Sequence, residues 1–572
     1  MLKSTTFAGI FNDIVLTWNN KKTMFSRQSF LYVSLALALI VQFMACTGGR
    51  QKESPVVAVD SDSIYAAQEA YRLEREPLSS QALPSIDDIV YSVTNFDTLT
   101  DGTIRYEDQV MWDGTLGDQT TMYDGRYGSF TFRGGLRRDA DYGGSVKGEP
   151  TRINKVWTFE TKFDGTQTSM GTWGGGSGWT GQPVYVRWPK DRVEAFRQSS
   201  PALTDAFNEE EIIVGSLCGM VYFIDYKTGE PSRQPLDVTN PIKGSVSLDP
   251  SLNGNLYVGQ GIPKVAPMGQ MAWDLNTHKK TFFSGRDGQS WVKWGAFDSS
   301  PVRVGKFLIW PGENGTLYKY LILPDNAGLK LHSTLRFKPK GKGAAGVENS
   351  ICVYKNYGFY GTNHGHILCV DLNTLQPIWH YDNHDDIDAS IVCEVVEDVP
   401  YLYAGSEVDR QGDLGTSYFV KLNGLTGEPV WEQKIRCKKL NLGGKHFDGG
   451  FYSTPLLGRG DCDSLIFANV CQRDGSNVAE FTAFSRHTGQ AVYRVKLRQF
   501  AWSSSVGFLN EKGKYYIFAG DALGYAYLIE GQTGRIIYEE HMCNNFESSP
   551  VVVGNQLVVG SRGTQIIKYE IQ

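Results

Sequence analysis

The chain has 572 residues, 63 of them glycine, with 12 % aromatic residues and a formal net charge of −6. That length is large for a single domain unless repeated units each add their own layer of core. The mild negative charge offers no basic stripe and argues against nucleic acid as a partner. Abundant glycine and aromatic residues suit many short strands joined by tight turns.

Taken in chain order, the first feature is an export signal. Arg27 precedes an apolar stretch from Phe30 to Ala45 that stops directly at Cys46. The stretch is short for a membrane span, and Phe43-Met-Ala-Cys46 resembles a relaxed lipoprotein processing site, with Phe43 standing where that pattern prefers leucine. Residues 1–45 are therefore expected to be a signal peptide, with Met24 as the working start, and Cys46 is expected to carry the lipid. Residues 46–87 read as a polar tether with a short helix from Ile64 to Glu76, stopped by Pro77 and Pro84. Residues 47–53 carry no acidic run, which favours the periplasmic face of an outer membrane. Residues 88–150, rich in Gly, Asp, Tyr and Arg, read as an irregular lead-in that packs on the repeats C-terminal to it.

From about residue 151 a phrase recurs. Its clearest copies are Val221-Tyr-Phe-Ile-Asp-Tyr-Lys-Thr-Gly229, Tyr418-Phe-Val-Lys-Leu-Asn-Gly-Leu-Thr-Gly427 and Ala526-Tyr-Leu-Ile-Glu-Gly-Gln-Thr-Gly534. Each is an alternating strand, a polar turn closing on Thr-Gly, and a second strand carrying an aromatic. Those outer-strand aromatics are Trp157, Trp379, Trp431, Tyr493 and Tyr538, and each is expected to be structural, docking on the turn of a neighbouring unit. Every unit opens on small residues: Gly181-Gln-Pro183, Gly244-Ser-Val246, Ser299-Ser-Pro301, Asn349-Ser-Ile351, Ala389-Ser-Ile391, Ser453-Thr-Pro455, Ser503-Ser-Ser505 and Ser548-Ser-Pro550. Small residues suit innermost strands that crowd around an axis. A period of about 45–60 residues built from strands and turns predicts an all-β fold, an eight-bladed β-propeller of four-stranded antiparallel blades over residues 151–572. The last copy lacks its outer strand, and Val156-Trp-Thr-Phe159 is expected to supply it, pairing an N-terminal strand with the last blade so that no edge is left open.

These residues resemble the pyrroloquinoline-quinone-like propeller repeat, with Phe130-Thr-Phe-Arg-Gly-Gly135 as its lead-in. The resemblance implies one of two functional groups. Quinoprotein dehydrogenases hold a quinone over the axis with calcium and a pair of adjacent cysteines; non-enzymatic lipoprotein propellers act as scaffolds in outer-membrane protein assembly. No two cysteines here are adjacent. The expectation is thus no cofactor, pyrroloquinoline quinone and calcium included, and a lipid-anchored module that binds envelope proteins. A quinone-dependent oxidoreductase and a glycan-binding surface lipoprotein are the alternatives.

No catalytic motif stands out. The residues just before the blade openings, Thr180, Lys243, Asp298, Glu348, Asp388, Tyr452, Trp502 and Glu547, should form a ring at one mouth of the channel. Four acids against one lysine make that ring negative, able to attract a cation, an amine or a basic loop, or else a set of solvated loop ends. The run His380-Tyr-Asp-Asn-His-Asp-Asp-Ile-Asp388 is rich in ligand-type side chains but lacks a calcium-loop pattern, and His364-Gly-His366 reads as turn chemistry. Eight cysteines besides Cys46 include Cys462 and Cys471, which bracket one strand; a bridge between them is one reading, buried free thiols the other.

Overall fold

The computed structural model describes residues 56–58, 86–96, 122–139, 144–178, 181–442 and 445–572. Cys46 and the leader, the helix expected over Ile64–Glu76, and Thr180 lie outside the described residues.

Alternating apolar residues place both faces of each sheet against neighbours, and eight antiparallel sheets result, each one blade. Blade 1 begins with Val184–Arg187 and Glu210–Gly215, blade 2 with Ser247–Leu248, blade 3 with Val302–Val304 and blade 4 with Cys352–Tyr354. Blades 5 to 8 begin with Val392–Val396, Leu456–Leu457, Val506–Asn510 and Val551–Val553. Buried side chains form layers between successive blades, as where Trp379, Cys352 and Cys393 join blades 4 and 5, and Trp157, Ile212 and Val558 join blades 8 and 1.

The ring closes as the sequence predicts. Ile153–Glu160 pairs antiparallel with the last strand, Gln565–Ile571, with Trp157 opposite Lys568. One element was not anticipated: a helix, Lys190–Ser199, inserted between the first two strands of blade 1, where it lays Val193 and Phe196 over Trp188. Its start just after Pro189 and the i, i+3 spacing of Val193 and Phe196 were the available signals.

The recurring turn has a clear physical basis. In blade 1 the Asp225 carboxylate accepts the N–H groups of Lys227 and Thr228 and the Thr228 hydroxyl, and Gly229 N–H returns to the Asp225 carbonyl at 2.9 Å. Gly229 sits at φ +79°, and a Cβ there would come within 2.8 Å of the Trp157 ring. Trp157 in turn donates its indole N–H to the Tyr226 carbonyl at 3.1 Å. The outer-strand aromatic of one blade thus caps the turn of the next. Trp379 does so at Gly424 (3.0 Å), Trp431 at Arg486 (2.9 Å) and Tyr493 at Gly531 (2.6 Å). Tyr538 departs from this pattern, since its hydroxyl goes to Glu540 on its own strand. Its neighbour is blade 8, whose fourth strand, Ile153–Glu160, comes from the other end of the propeller, so no turn joins it to the third strand, Gln565–Ile571.

The cysteines are all buried and free among the described residues. Cys462 and Cys471 flank the strand Leu465–Cys471; at about 3.3 Å per residue they lie too far apart for a bridge.

The segment around Phe130 does more than pack against the propeller; it runs through its axis. Gly128–Ser129 adds to the inner strand of blade 1, Phe130 accepts from Leu248 N–H in blade 2, Leu136 from Val353 N–H in blade 4, and Arg137 from Cys393 N–H in blade 5. Farther on, Asp139 accepts from Arg459, Ser145–Val146 pairs with the inner strand of blade 7, and Gly144 meets Gly554 in blade 8.

Ring closure can be tested in two ways. Trp157→Ala should destabilise the protein by about 3–5 kcal/mol, as loss of a buried large aromatic does, whereas Val156→Ala, at an exposed position of the same strand, should change stability by less than about 0.5 kcal/mol. Deleting residues 151–162 should abolish cooperative melting, read by calorimetry, and an unchanged transition would sink the closure argument.

Candidate functional site

The three residues that open each blade occupy successive levels along the axis. At the middle level a backbone N–H crosses six of the eight blade boundaries to a hydroxyl of the next blade. Gln182 N–H donates to Ser245 (2.8 Å), Ser300 to Ser350 (2.9 Å), Ser350 to Ser390 (2.9 Å) and Ser390 to Thr454 (3.1 Å). Thr454 then donates to Ser504 (3.0 Å), Ser504 to Ser549 (3.0 Å), and Ser549 to the Gly181 carbonyl (2.8 Å). The boundary between blades 2 and 3 is bridged by the Ser300 hydroxyl donating to the Ser245 carbonyl at 3.2 Å.

One level farther in, the carbonyls of the inner strands point at the axis, and two arginines of the threaded segment answer them. Arg133 donates to Ser505 (2.7 Å) and Pro455 (3.3 Å), reaching blades 7 and 6. Arg138 donates to Ile351 (2.8 Å), Ser300 (3.0 Å) and its own segment's Phe132 (2.7 Å). Both arginines are fully buried, and both sit in left-handed backbone, at φ +54° and +55°. Such strain costs on the order of 1–3 kcal/mol per residue. A hydrogen bond from a charged donor contributes about 1.5–3 kcal/mol, so the several that each guanidinium makes outweigh it.

On the other side of the hydroxyl ring lies the expected charged ring. The structure brings Lys243, Asp298, Glu348, Asp388, Tyr452, Trp502 and Glu547 to one mouth, all buried rather than solvated. Lys243 Nζ contacts Asp298 and lies 3.6 Å from Glu348 and 3.9 Å from Glu313. Glu313 also accepts the Trp294 indole N–H at 2.8 Å, and Asn363 donates to Glu348 at 2.8 Å. Opposite, Glu547 lies 3.6 Å from Arg562, whose guanidinium covers Trp173 at 5.2 Å. Phe132 forms the floor of a cavity of about 10 Å³ walled by Glu348, Asp388, Tyr452 and Trp502, room for about one water.

Sequence reading missed Glu313 and Arg562, although a signal existed. The inner strand of a blade leaves this mouth and the second strand returns to it, so the hairpin after the second strand, Gly312–Thr316 in blade 3, must reach the same place. The aromatics beside the ring divide: Phe451, Phe500 and Phe546 are buried packing, and Trp291 is exposed beneath Lys338. Phe447, Phe500 and Trp502 stack with centroids 4.8–5.8 Å apart.

The electrostatics follow from burial. Burial works against the Lys243 charge, but Asp298, Glu313 and Glu348 outweigh it and push its pKa above the usual lysine value. Burial pushes Asp298 up, with Lys243 pulling it back. Glu313 is raised well above the carboxylate range by burial and then by Glu348 and Asp298. Oxygens of Asp298, Glu313 and Glu348 lie within 4.8 Å of one another, a hard-oxygen set able to ligate a divalent cation, yet the Lys243 ammonium already serves them as the positive charge. The arrangement can hold a proton or a small cation; it offers no nucleophile paired with a base.

Because folded Glu313 keeps its proton above the pH at which the unfolded chain releases it, stability from this group is full below about pH 4.5 and is lost as pH rises toward its folded pKa. Glu313→Gln, which keeps the acceptor for Trp294, should therefore melt higher relative to wild type at pH 8 than at pH 5. A difference independent of pH would show that Glu313 is ionised in the fold.

No protein-family model matches the sequence, and no curated protein aligns with it. Solved structures do resemble it. A europium-containing methanol dehydrogenase superposes with a TM-score of 0.53 at 12 % identity, over 77 % of this chain and 91 % of the other. The quinohemoprotein alcohol dehydrogenase of Comamonas testosteroni gives 0.53 at 13 % identity, over 80 % and 82 %. BamB from Moraxella catarrhalis gives 0.45 at 16 % identity, over 73 % and 100 %. Identities this low speak to architecture alone, and the architecture of this chain is the eight-bladed β-propeller.

Proposed function

We propose that the protein is a lipid-anchored binding or scaffolding propeller of a bacterial envelope, with outer-membrane protein assembly as its setting. The observation that carries this reading is the filled axis. The threaded segment blocks the channel from one side, and the cavity left at the mouth has room for about one water. A tricyclic quinone does not fit that space. Lys243 stands among the carboxylates that a cofactor's calcium would use, and no pair of adjacent cysteines exists to stack on a quinone ring.

With the axis filled, the available surfaces are blade edges and loops. The edges accept strands, because the chain's own Ile89–Asn95 extends blade 3 and Val56–Ala58 extends blade 6. Among the described residues the outer strands of blades 2 and 4, Lys279–Ser284 and Pro377–Asp382, have no further strand beside them, and they expose Phe283 and Ile378. A partner that adds an extended segment to such an edge would gain main-chain hydrogen bonds together with apolar contact.

Two experiments test this reading. Cys46→Ala should release the protein from membranes, and mild crosslinking of the wild type should bring down a stoichiometric envelope protein; normal processing and membrane retention of Cys46→Ala would remove the anchor from the proposal. Reconstitution with pyrroloquinoline quinone and Ca²⁺ should give no dye-linked alcohol or sugar oxidation, and robust turnover would replace the scaffold with the oxidoreductase.

A further inference from the structure

Blade 1 is built differently at its outer edge from the blades that follow. Blades 2, 4 and 7 end in six-residue fourth strands, Lys279–Ser284, Pro377–Asp382 and Ile536–His541, whereas blade 1 has only Leu236–Asp237 in that place. Pro231 and Pro235 lack the N–H groups that would extend the ladder. The stretch between them turns instead to residues that follow the inserted helix. Thr204 N–H donates to the Ser232 carbonyl at 3.0 Å, and Gln234 N–H to the Ala202 carbonyl at 2.8 Å. Beside this shortened edge lies a groove of about 640 Å³, within the range of about 300–1,000 Å³ typical of ligand sites.

The groove combines apolar walls with acidic side chains. Phe159 of the closing strand meets Tyr222 edge-on, with ring centroids 5.3 Å apart, and Ala206, Phe223, Pro231 and Pro235 add to the lining. Arg233 is the one basic residue that lines it, and its guanidinium is fully buried and held by Glu211 at 3.0 Å. Asp205 and Glu230 also line the groove and are exposed. Neither of their carboxylates is paired within the described residues. An apolar surface beside two unneutralised acids is complementary to a cation carried among apolar side chains. Segments 59–85 and 97–121, which lie outside the described residues, are each net acidic, so the chain's own sequence matches this charge poorly.

We propose that this groove receives an extended segment of a partner protein in which an arginine or lysine is flanked by bulky apolar residues. The apolar side chains lie against Phe159, Tyr222 and the two prolines, and the cation pairs with Asp205 and Glu230. Extended segments suit an aromatic-lined groove of this kind, where pockets and rim charges read alternate side chains. The proposal rests on the binding-module reading and gives its partner a chemistry; the open edges of blades 2 and 4 are separate surfaces.

The test selects random peptides displayed on phage against the full chain and measures the enriched sequences as synthetic peptides by calorimetry. They should carry a basic residue between apolar ones and bind at one site per chain. Ala206→Trp, which fills the groove, should weaken them at least about tenfold. Asp205→Lys combined with Glu230→Lys should do the same, because like charges then meet, while the exposed positions leave the melting temperature nearly unchanged. Leu425→Ser, at an exposed apolar residue of blade 5, should leave binding as it is. Failure to enrich any peptide overturns the proposal, as does enrichment of sequences without a basic residue. Affinity that neither groove variant moves overturns it too, and so does competition for the site by synthetic peptides of residues 59–85 or 97–121, which would make the occupant the chain itself. A wild type that crosslinks to an envelope protein yet selects no peptide loses the groove and keeps the scaffold. One that selects these peptides and also oxidises alcohols with the quinone keeps the groove and loses the scaffold.

Discussion

Eight strands cannot converge on one axis with large side chains between them, and the rest of the molecule is arranged around that constraint. The solution is the belt in which a backbone N–H of one blade meets a hydroxyl of the next at six boundaries, a backbone N–H meets a carbonyl at the closing boundary, and a hydroxyl meets a carbonyl between blades 2 and 3. Serine and threonine are the side chains small enough to sit there and still accept. The belt has a cost elsewhere. It uses N–H groups from the inner strands but leaves carbonyls of the adjoining level aimed into a space closed to bulk water, and buried carbonyls need donors.

Arg133 and Arg138 are the answer to that second demand. A guanidinium carries several donors in a rigid fork and no acceptor, which suits a position encircled by carbonyls. One arginine reaches blades 6 and 7 while the other reaches blades 3 and 4, so the threaded segment ties together blades far apart in sequence. The same geometry explains why the mouth on the other side became a closed charge cluster instead of an open funnel. With Phe132 as floor and Trp173 over Arg562, acids there cannot be left to water. Lys243 and protonation balance them.

At four blade boundaries a different interaction repeats around the rim, the aromatic of one outer strand on the glycine turn of the next. It is local in sequence yet acts between blades, and Tyr538 shows its limit. In blade 8 the closing strand Ile153–Glu160 completes the sheet without a turn from the third strand, so none is offered to the ring. Closure therefore exchanges one turn-capping contact for the removal of two open edges.

The sequence by itself determined the repeat, the blade number, the strand that closes the ring and the residues that gather at one mouth, because each follows from a period of two along strands and a fixed phase between copies. What it did not carry is depth. Lys243, Asp298, Glu348, Asp388 and Glu547 read as a charged rim, and only the tertiary structure decided that they are buried, since exposure depends on which loops and which threaded segment lie above and below them. Glu313 and Arg562 join them from hairpins about 15 residues away in each sequence, because antiparallel register brings together side chains that no linear spacing marks as partners. The path of residues 128–139 through the axis was likewise beyond the sequence. Its arginines look like ordinary surface charge until eight inner strands surround them with carbonyls.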